Sequence, residues 1–279
     1  MTSRADLFSG SIIQNYERYM VPLLFDDYAQ DLAHRTPVPD GGRALEIACG
    51  TGVVTRHLAA TLGGRAELIA TDINPDMVNA AQGNVATSST TPVTDDARVQ
   101  FQVADGTDLP FEDDSFDTVT CQFGVMFYPD RELGYREAAR VIRPGGAFVF
   151  NIWDALERNA VPRVIHETVV ALSPDNPPGF LAVPFGYNNL TDVTAELQRS
   201  GFGEVELAVL PRTSRASSAK DVAIGTVLGS PLAGQLAERG IADEAFEAVE
   251  RALVDAFGDG EISVPMQAIA VVARPDPSG

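Results

Sequence analysis

The 279-residue chain is 45% apolar and carries 39 acidic against 20 basic side chains, a formal charge of −19. That composition permits a sizeable core, and a field of that sign repels phosphate backbones and anionic membranes, so neither nucleic acid nor a membrane is expected as a partner. Two cysteines, Cys49 and Cys121, cannot build a disulfide framework or a cysteine zinc site; with no signal-peptide pattern and no apolar run near the ~20 residues of a span, a cytoplasmic setting without a structural metal is expected.

Residues 9–34 have helical apolar spacing, which Pro22 is expected to divide into two helices. Tyr16, Tyr19, Phe25 and Tyr28 concentrate aromatics there, either for core packing or to cover a ligand mouth. Pro37–Gly42 is a turn-rich link into a first strand, Arg43–Ala48, followed by the turn Cys49-Gly50-Thr51-Gly52 and a helix, Val53–Leu62. A second strand, Ala66–Thr71, finishes at Asp72, and Asn74-Pro75-Asp76 starts the next helix. Gly83–Asp96 reads as a flexible loop, Arg98–Val103 as a third strand and Phe116–Phe123 as a fourth. Glu132–Ile142 is a helix stopped by Pro144-Gly145-Gly146, and the apolar Ala147–Trp153 a fifth strand buried on both sides. Strands alternating with helices at these lengths predict a doubly wound parallel sheet. Beyond Trp153 come a helical piece (Val161–Leu172), a proline-rich loop and a helix, Thr191–Ser200. A sixth strand (Phe202–Leu210), a helical insertion (Ser217–Gly258, with Phe246, Val249, Leu253 and Phe257 on one face) and a last strand (Ile262–Arg274) complete the chain.

Three strand ends carry the chemistry. A glycine turn after a strand is a weak signal by itself. Asp72 follows Gly52 by 20 residues, where a carboxylate can accept from both hydroxyls of a ribose. Asp105 ends the third strand with Gly106-Thr107 behind it, and could read an adenine amino group. Capping or solvation explains either acid singly but not their joint placement at one sheet edge.

These residues resemble the class I S-adenosylmethionine-dependent methyltransferases, small-molecule branch, over roughly residues 40–155. The motifs are Leu45–Gly52, Thr71–Met77, Ala104–Phe111, Asp114–Asp117 and Arg140–Gly146, in the family's order. The resemblance implies a Rossmann-like α/β fold: a seven-stranded, mostly parallel sheet with helices on both faces and a helical cap from insertions. The order of elements along the chain divides it into an arm (1–36), a cofactor-binding core (37–154, 188–213), cap insertions (155–187, 214–260) and a last strand with tail (261–279). Gly50 and Gly52 would lie under the methionine part of S-adenosylmethionine, with Ala48 standing where many members have Gly, a mild change if φ stays negative. Asp72 would hold the ribose, Ile73 and Met77 would flank the adenine, Asp105 and Gly106 would bind its edge, and Gln122 and Phe123 would line the methyl-transfer site. Tyr16, from the arm, is a further candidate cofactor contact.

Methyl transfer from a sulfonium is an in-line displacement needing geometry and exclusion of water, not a metal. His166 in the first insertion is the candidate base, with Asp154 and Tyr128 as alternatives ahead of His34 and His57. Phe127, Trp153 and Phe185 are the candidate acceptor contacts, and with Phe180 and Tyr187 they point to an apolar or aromatic small molecule. The expected reaction is methylation of an O, N or C atom of a metabolite or natural product, with S-adenosylhomocysteine as by-product. The alternatives are a cofactor-binding cyclase, isomerase or regulator that does not methylate, and a nicotinamide dehydrogenase, whose G-x-G-x-x-G is unmatched. Oligomeric state stays open, a homodimer being one option.

Overall fold

The computed structural model describes residues 10–87 and 98–276. The chain opens with α1 (Ser11–Asn15), a π-helical stretch (Tyr16–Phe25) and α2 (Asp26–Arg35). Pro22 therefore lies inside one helical run and does not divide it in two. Proline lacks an N–H and its ring crowds the carbonyl four residues back. The wider π turn accommodates that, and the Asp26 N–H donates to the Val21 carbonyl, five residues back.

There follow β1 (Arg43–Ile47), α3 (Val53–Leu62), β2 (Glu67–Asp72), α4 (Pro75–Thr87), β3 (Arg98–Val103), β4 (Phe116–Gln122), α5 (Arg131–Val141) and β5 (Ile142–Trp153). The remainder comprises α6 (Ala160–Leu172), α7 (Ala182–Phe185), α8 (Leu190–Arg199), β6 (Phe202–Ala216), α9 (Ala219–Ala223), α10 (Leu232–Glu238), α11 (Ala242–Phe257) and β7 (Ile262–Pro275). Residues 83–87, expected in a loop, complete α4, because Val85 is buried and the Asn84 amide donates to the Thr51 carbonyl at 2.9 Å. Tertiary packing outweighs the turn-like composition there. The rest of that expected loop, 88–96, lies outside the described residues.

The seven strands lie in the order β3-β2-β1-β4-β5-β7-β6. β1 runs parallel to both β2 and β4, β2 to β3, and β4 to β5. Chain order reverses between β1 and β4, so the crevice at their carboxyl ends is the place where such sheets take ligands. Ile47 sits in register with both Thr71 and Cys121, and Gln122 with Asn151, which brings the strand ends together.

The chain divides into two compact units. The sheet unit comprises Tyr28–Ile152, Asn188–Val209 and the residues from Ile269. Its core on one face is aromatic: Tyr135 of α5 stacks on Phe150 at 5.8 Å, and Phe148 meets Phe150 at 4.8 Å and Phe202 at 6.0 Å. Arginines are consumed in pairs at its surface, Arg43 with Glu67, Arg131 with Glu196 and Arg143 with Asp117.

The second unit comprises the residues up to Asp27, Trp153–Tyr187 and Leu210–Ala268. There α11 buries Ala245, Val249 and Leu253 and packs on α6 and α9. Phe246 and Phe257 of the expected stripe are only half-buried. The π-helical stretch Tyr16–Phe25 packs on a second one, Ile224–Leu228, backbone against backbone. A Cβ on Gly225 would stand 2.8 Å from Tyr19 Cβ, and one on Gly229 would stand 2.9 Å from the Tyr16 nitrogen and 2.2 Å from the Gly225 carbonyl. Gly229→Ala is therefore expected to destabilise this unit by about 1–3 kcal/mol, read as a lower denaturant midpoint.

Candidate active site

After β1 the chain turns through Ala48, Gly50 and Gly52, all with positive φ: 57°, 53° and 86°. Ala48 thus departs from the negative φ expected of it, and a left-handed residue with a Cβ costs about 1–2 kcal/mol. Its methyl also fills space: a Cβ on Gly124 would stand 2.7 Å from Ala48 Cβ and 2.6 Å from Cys121 Sγ. Gly52 brings the start of α3 against α4, where a Cβ would meet Ala81 Cα at 3.1 Å.

Asp72, at the end of β2 and 9% exposed, ties the turn to the neighbouring strand. Its Oδ2 accepts from the Gly50 N–H and its Oδ1 from the Asn74 N–H, both at 2.9 Å. Burial pushes its pKa up against these backbone bonds. Ile73 is half-buried and Met77, on α4, buried. The Ala104 N–H donates to the Asp72 carbonyl, which sets Asp105 beside this strand end. Asp105 Oδ1 accepts from both the N–H and the hydroxyl of Thr107 at 2.8 Å. Gly106 has no room for a side chain: a Cβ would stand 2.4 Å from the Tyr128 hydroxyl oxygen. Tyr128, a candidate base, is thereby packed against the Asp105-Gly106 turn.

At the end of β4, Gln122 lies in register with Asn151, and Phe123 takes a left-handed φ of 51°. The Phe123 N–H donates to the Asn151 carbonyl at 3.1 Å, and its ring meets Tyr28 edge-on at 5.6 Å. Phe127 is 36% exposed. The fold therefore gathers Ala48, Gly50, Gly52, Asp72, Ile73, Met77, Asp105, Gly106, Gln122, Phe123 and Phe127 in the sheet unit.

Tyr16, Trp153, Phe185 and His166 belong to the second unit. Three of them join one aromatic row: Tyr16 stacks on Phe25 at 5.2 Å, Phe25 meets Trp153 at 6.1 Å, and Trp153 stacks on Phe185 at 5.5 Å. His166, on α6, has a buried Nδ1 with no partner among the described residues. Asp154 is engaged as a structural link: its Oδ1 accepts from the Ala155 N–H at 2.7 Å and its Oδ2 from the Gln267 amide. His34 is exposed in the last turn of α2, and His57 lies half-buried on α3.

Two features of the site escaped sequence reasoning. Asn151 is fully buried, and neither atom of its amide has a partner among the described residues. One polar residue inside the apolar run Ala147–Trp153 was the available signal. Glu46, 1% exposed in β1, accepts from the Thr55 hydroxyl at 2.6 Å, and burial pushes its pKa from 4.5 up to about 8.

Two predictions follow from this geometry. Gly124→Ala is expected to destabilise by about 1–3 kcal/mol, with part of the loss recovered in Ala48→Gly/Gly124→Ala; a double-mutant cycle by urea unfolding measures the coupling. For Glu46, both folded and unfolded chains hold the proton below about pH 4.5; between there and about pH 8 only the folded chain keeps it, so its contribution to stability falls as pH rises. Glu46→Gln should flatten the fall in unfolding midpoint between pH 5 and pH 8.

Comparison with known proteins places this arrangement. Residues 45–150 match the family model described as Methyltransferase domain. A ubiquinone/menaquinone biosynthesis C-methyltransferase UbiE from Geotalea daltonii is 39% identical over 108 residues, covering 39% of this chain and 44% of that protein. A demethylmenaquinone methyltransferase from Clavibacter sepedonicus is 39% identical over 109 residues, 40% of its length. The chain thus matches less than half the length of either relative. Among solved structures, a phosphoethanolamine N-methyltransferase 2 from Haemonchus contortus superposes with a TM-score of 0.62 at 17% identity, over 99% of this chain and 61% of that one. That level of identity speaks to fold alone. The matched segment, residues 45–150, lies within the sheet unit and is similar to methyltransferase domains of the S-adenosylmethionine-dependent kind.

Proposed function

We propose that this chain transfers a methyl group from S-adenosylmethionine to an O, N or C atom of a small apolar or aromatic molecule. The observation that carries the reading is Asp72 bound to the glycine turn, with Asp105 just beyond the end of the adjoining strand β3. The Asp72 carboxylate accepts from the backbone N–H groups of Gly50, Asn74 and Ile73. An ionised carboxylate has about four lone-pair sites, so capacity for a ribose hydroxyl remains. Asp105 holds Thr107 through Oδ1, leaving Oδ2 to accept from an exocyclic amine. The buried Thr51 hydroxyl and Asn151 amide, without partners among the described residues, add polar atoms at the turn and beside Gln122. These residues fit the cofactor.

When bound, S-adenosylmethionine supplies a methyl group on a sulfonium. In the proposed site Gly50 and Gly52 lie against the methionine portion, Ile73 and Met77 flank the adenine, Asp105 and Gly106 take its edge, and Gln122 and Phe123 border the reacting side. Tyr16, Trp153 and Phe185 belong to an aromatic row of the second unit, suited to a flat ring. Phe127 is a further candidate acceptor contact, and His166 the candidate base where a proton must leave. The names of the relatives point to a quinone-type ring and carbon methylation as the first acceptor chemistry to assay.

The test is transfer of labelled methyl from the cofactor to a panel of quinols, phenols and amines. Label in the small-molecule fraction is expected. Tight cofactor binding with no transfer across the panel would overturn the reading in favour of a non-methylating binder. Asp72→Ala should weaken binding of S-adenosylhomocysteine by about 1–3 kcal/mol in calorimetry, and unchanged affinity would remove Asp72 from the site.

A further inference from the structure

α5 holds the segment that follows β3 at both ends, and we infer that Arg140 and Glu137 are positioning residues for the purine edge of the cofactor. The inference rests on the function proposed above.

At one end, the Tyr128 hydroxyl stands where a Gly106 side chain would be, and the Tyr128 ring lies against α5, where a Cβ on Gly134 would meet its Cδ2 at 2.4 Å. At the other end, Glu137 Oε2 accepts the Leu109 N–H at 2.9 Å. Arg140 donates from Nη2 to the Leu109 carbonyl at 3.0 Å, and from Nη1 to the Phe111 carbonyl at 2.7 Å and Asp113 Oδ1 at 2.8 Å. The same guanidinium grips Glu137 through Nε and Nη2, at 2.8 and 2.7 Å.

One planar cation therefore spans two backbone carbonyls and two carboxylates, one of which, Glu137, also holds the Leu109 N–H. A lysine ammonium offers no such fork. Between the two anchors lie Thr107 and Asp108, and Asp105 adjoins the first anchor; the Asp108 N–H donates back to the Asp105 carbonyl at 3.0 Å and closes the turn. With both flanks fixed, the direction of the Asp105 carboxylate and of the adjoining N–H groups follows from α5. Arg140 and Glu137 retain 30% and 17% side-chain exposure, so both are partly buried at this contact.

The experiment compares binding of S-adenosylhomocysteine with S-inosylhomocysteine, which carries a carbonyl where adenine has its amine. A carboxylate that accepts from the amine opposes the carbonyl, so the wild-type protein should prefer the adenosyl form by at least about tenfold. In Arg140→Met that preference is expected to fall to within about threefold, and amide exchange at Leu109 to rise. Glu137→Gln and Arg140→Lys, which keep polar atoms in place and guard against a variant that does not fold, should show intermediate ratios.

A role in general stability alone would lower both affinities together and leave the ratio unchanged; that result in all three variants would overturn the inference. Wild-type binding without preference between the two nucleosides would overturn it as well. Wild-type protein binding neither would instead overturn the cofactor reading itself.

Discussion

The site depends on one hydrogen bond from the Gly50 amide to the Asp72 carboxylate. It fastens a turn with three left-handed residues to the end of the adjoining strand, so that turn and acid are positioned as one piece. The Cys49 N–H to Thr71 carbonyl bond lies directly beside it and runs between the same two segments. Removing the carboxylate from water raises its pKa, and the backbone N–H groups of Gly50 and Asn74 oppose that rise. Burial and backbone donation together leave a carboxylate that is rigid and still able to accept more hydrogen bonds.

Strain is distributed around this fastening. Ala48 and Phe123 both take left-handed conformations, and the bare Gly124 lies against Ala48 and next to Phe123. Such strain persists only where surrounding packing over-determines it. Here the sheet register supplies that packing, because Ile47, Thr71 and Cys121 are aligned and the Phe123 N–H is held by the Asn151 carbonyl. The buried, protonation-prone Glu46 lies one residue before Ile47 in β1, so the sheet beneath the turn carries polar as well as conformational cost.

The parallel core was legible because its strands are apolar runs closed by glycine, proline or acid, and that punctuation has local physical causes. The conformation of Ala48 was not, since nothing local favours a left-handed alanine; the positions of β4 and Gly124 decide it. Pro22 misled because proline chemistry predicts a break, whereas the π turn Tyr16–Phe25 accommodates the ring within one helical run. The Arg140 cluster joins residues far apart in the chain, with Leu109 and Glu137 separated by 28 positions, and such distances carry no periodic signal. Asn151 stood in plain view as a polar letter in an apolar strand, yet only the structure shows its amide buried without a partner among the described residues.

The arginine pairs have a consequence for turnover. Arg43, Arg131, Arg140 and Arg143 each face carboxylates, so much of the chain's sparse positive charge is neutralised locally and the net negative field remains. S-adenosylmethionine carries a net positive charge, whereas S-adenosylhomocysteine, having lost the sulfonium, carries none. A negative field draws in the first and is indifferent to the second, so in the proposed reaction the exchange of spent cofactor for fresh is biased toward reloading. That bias weakens as ionic strength rises and the Debye length shortens.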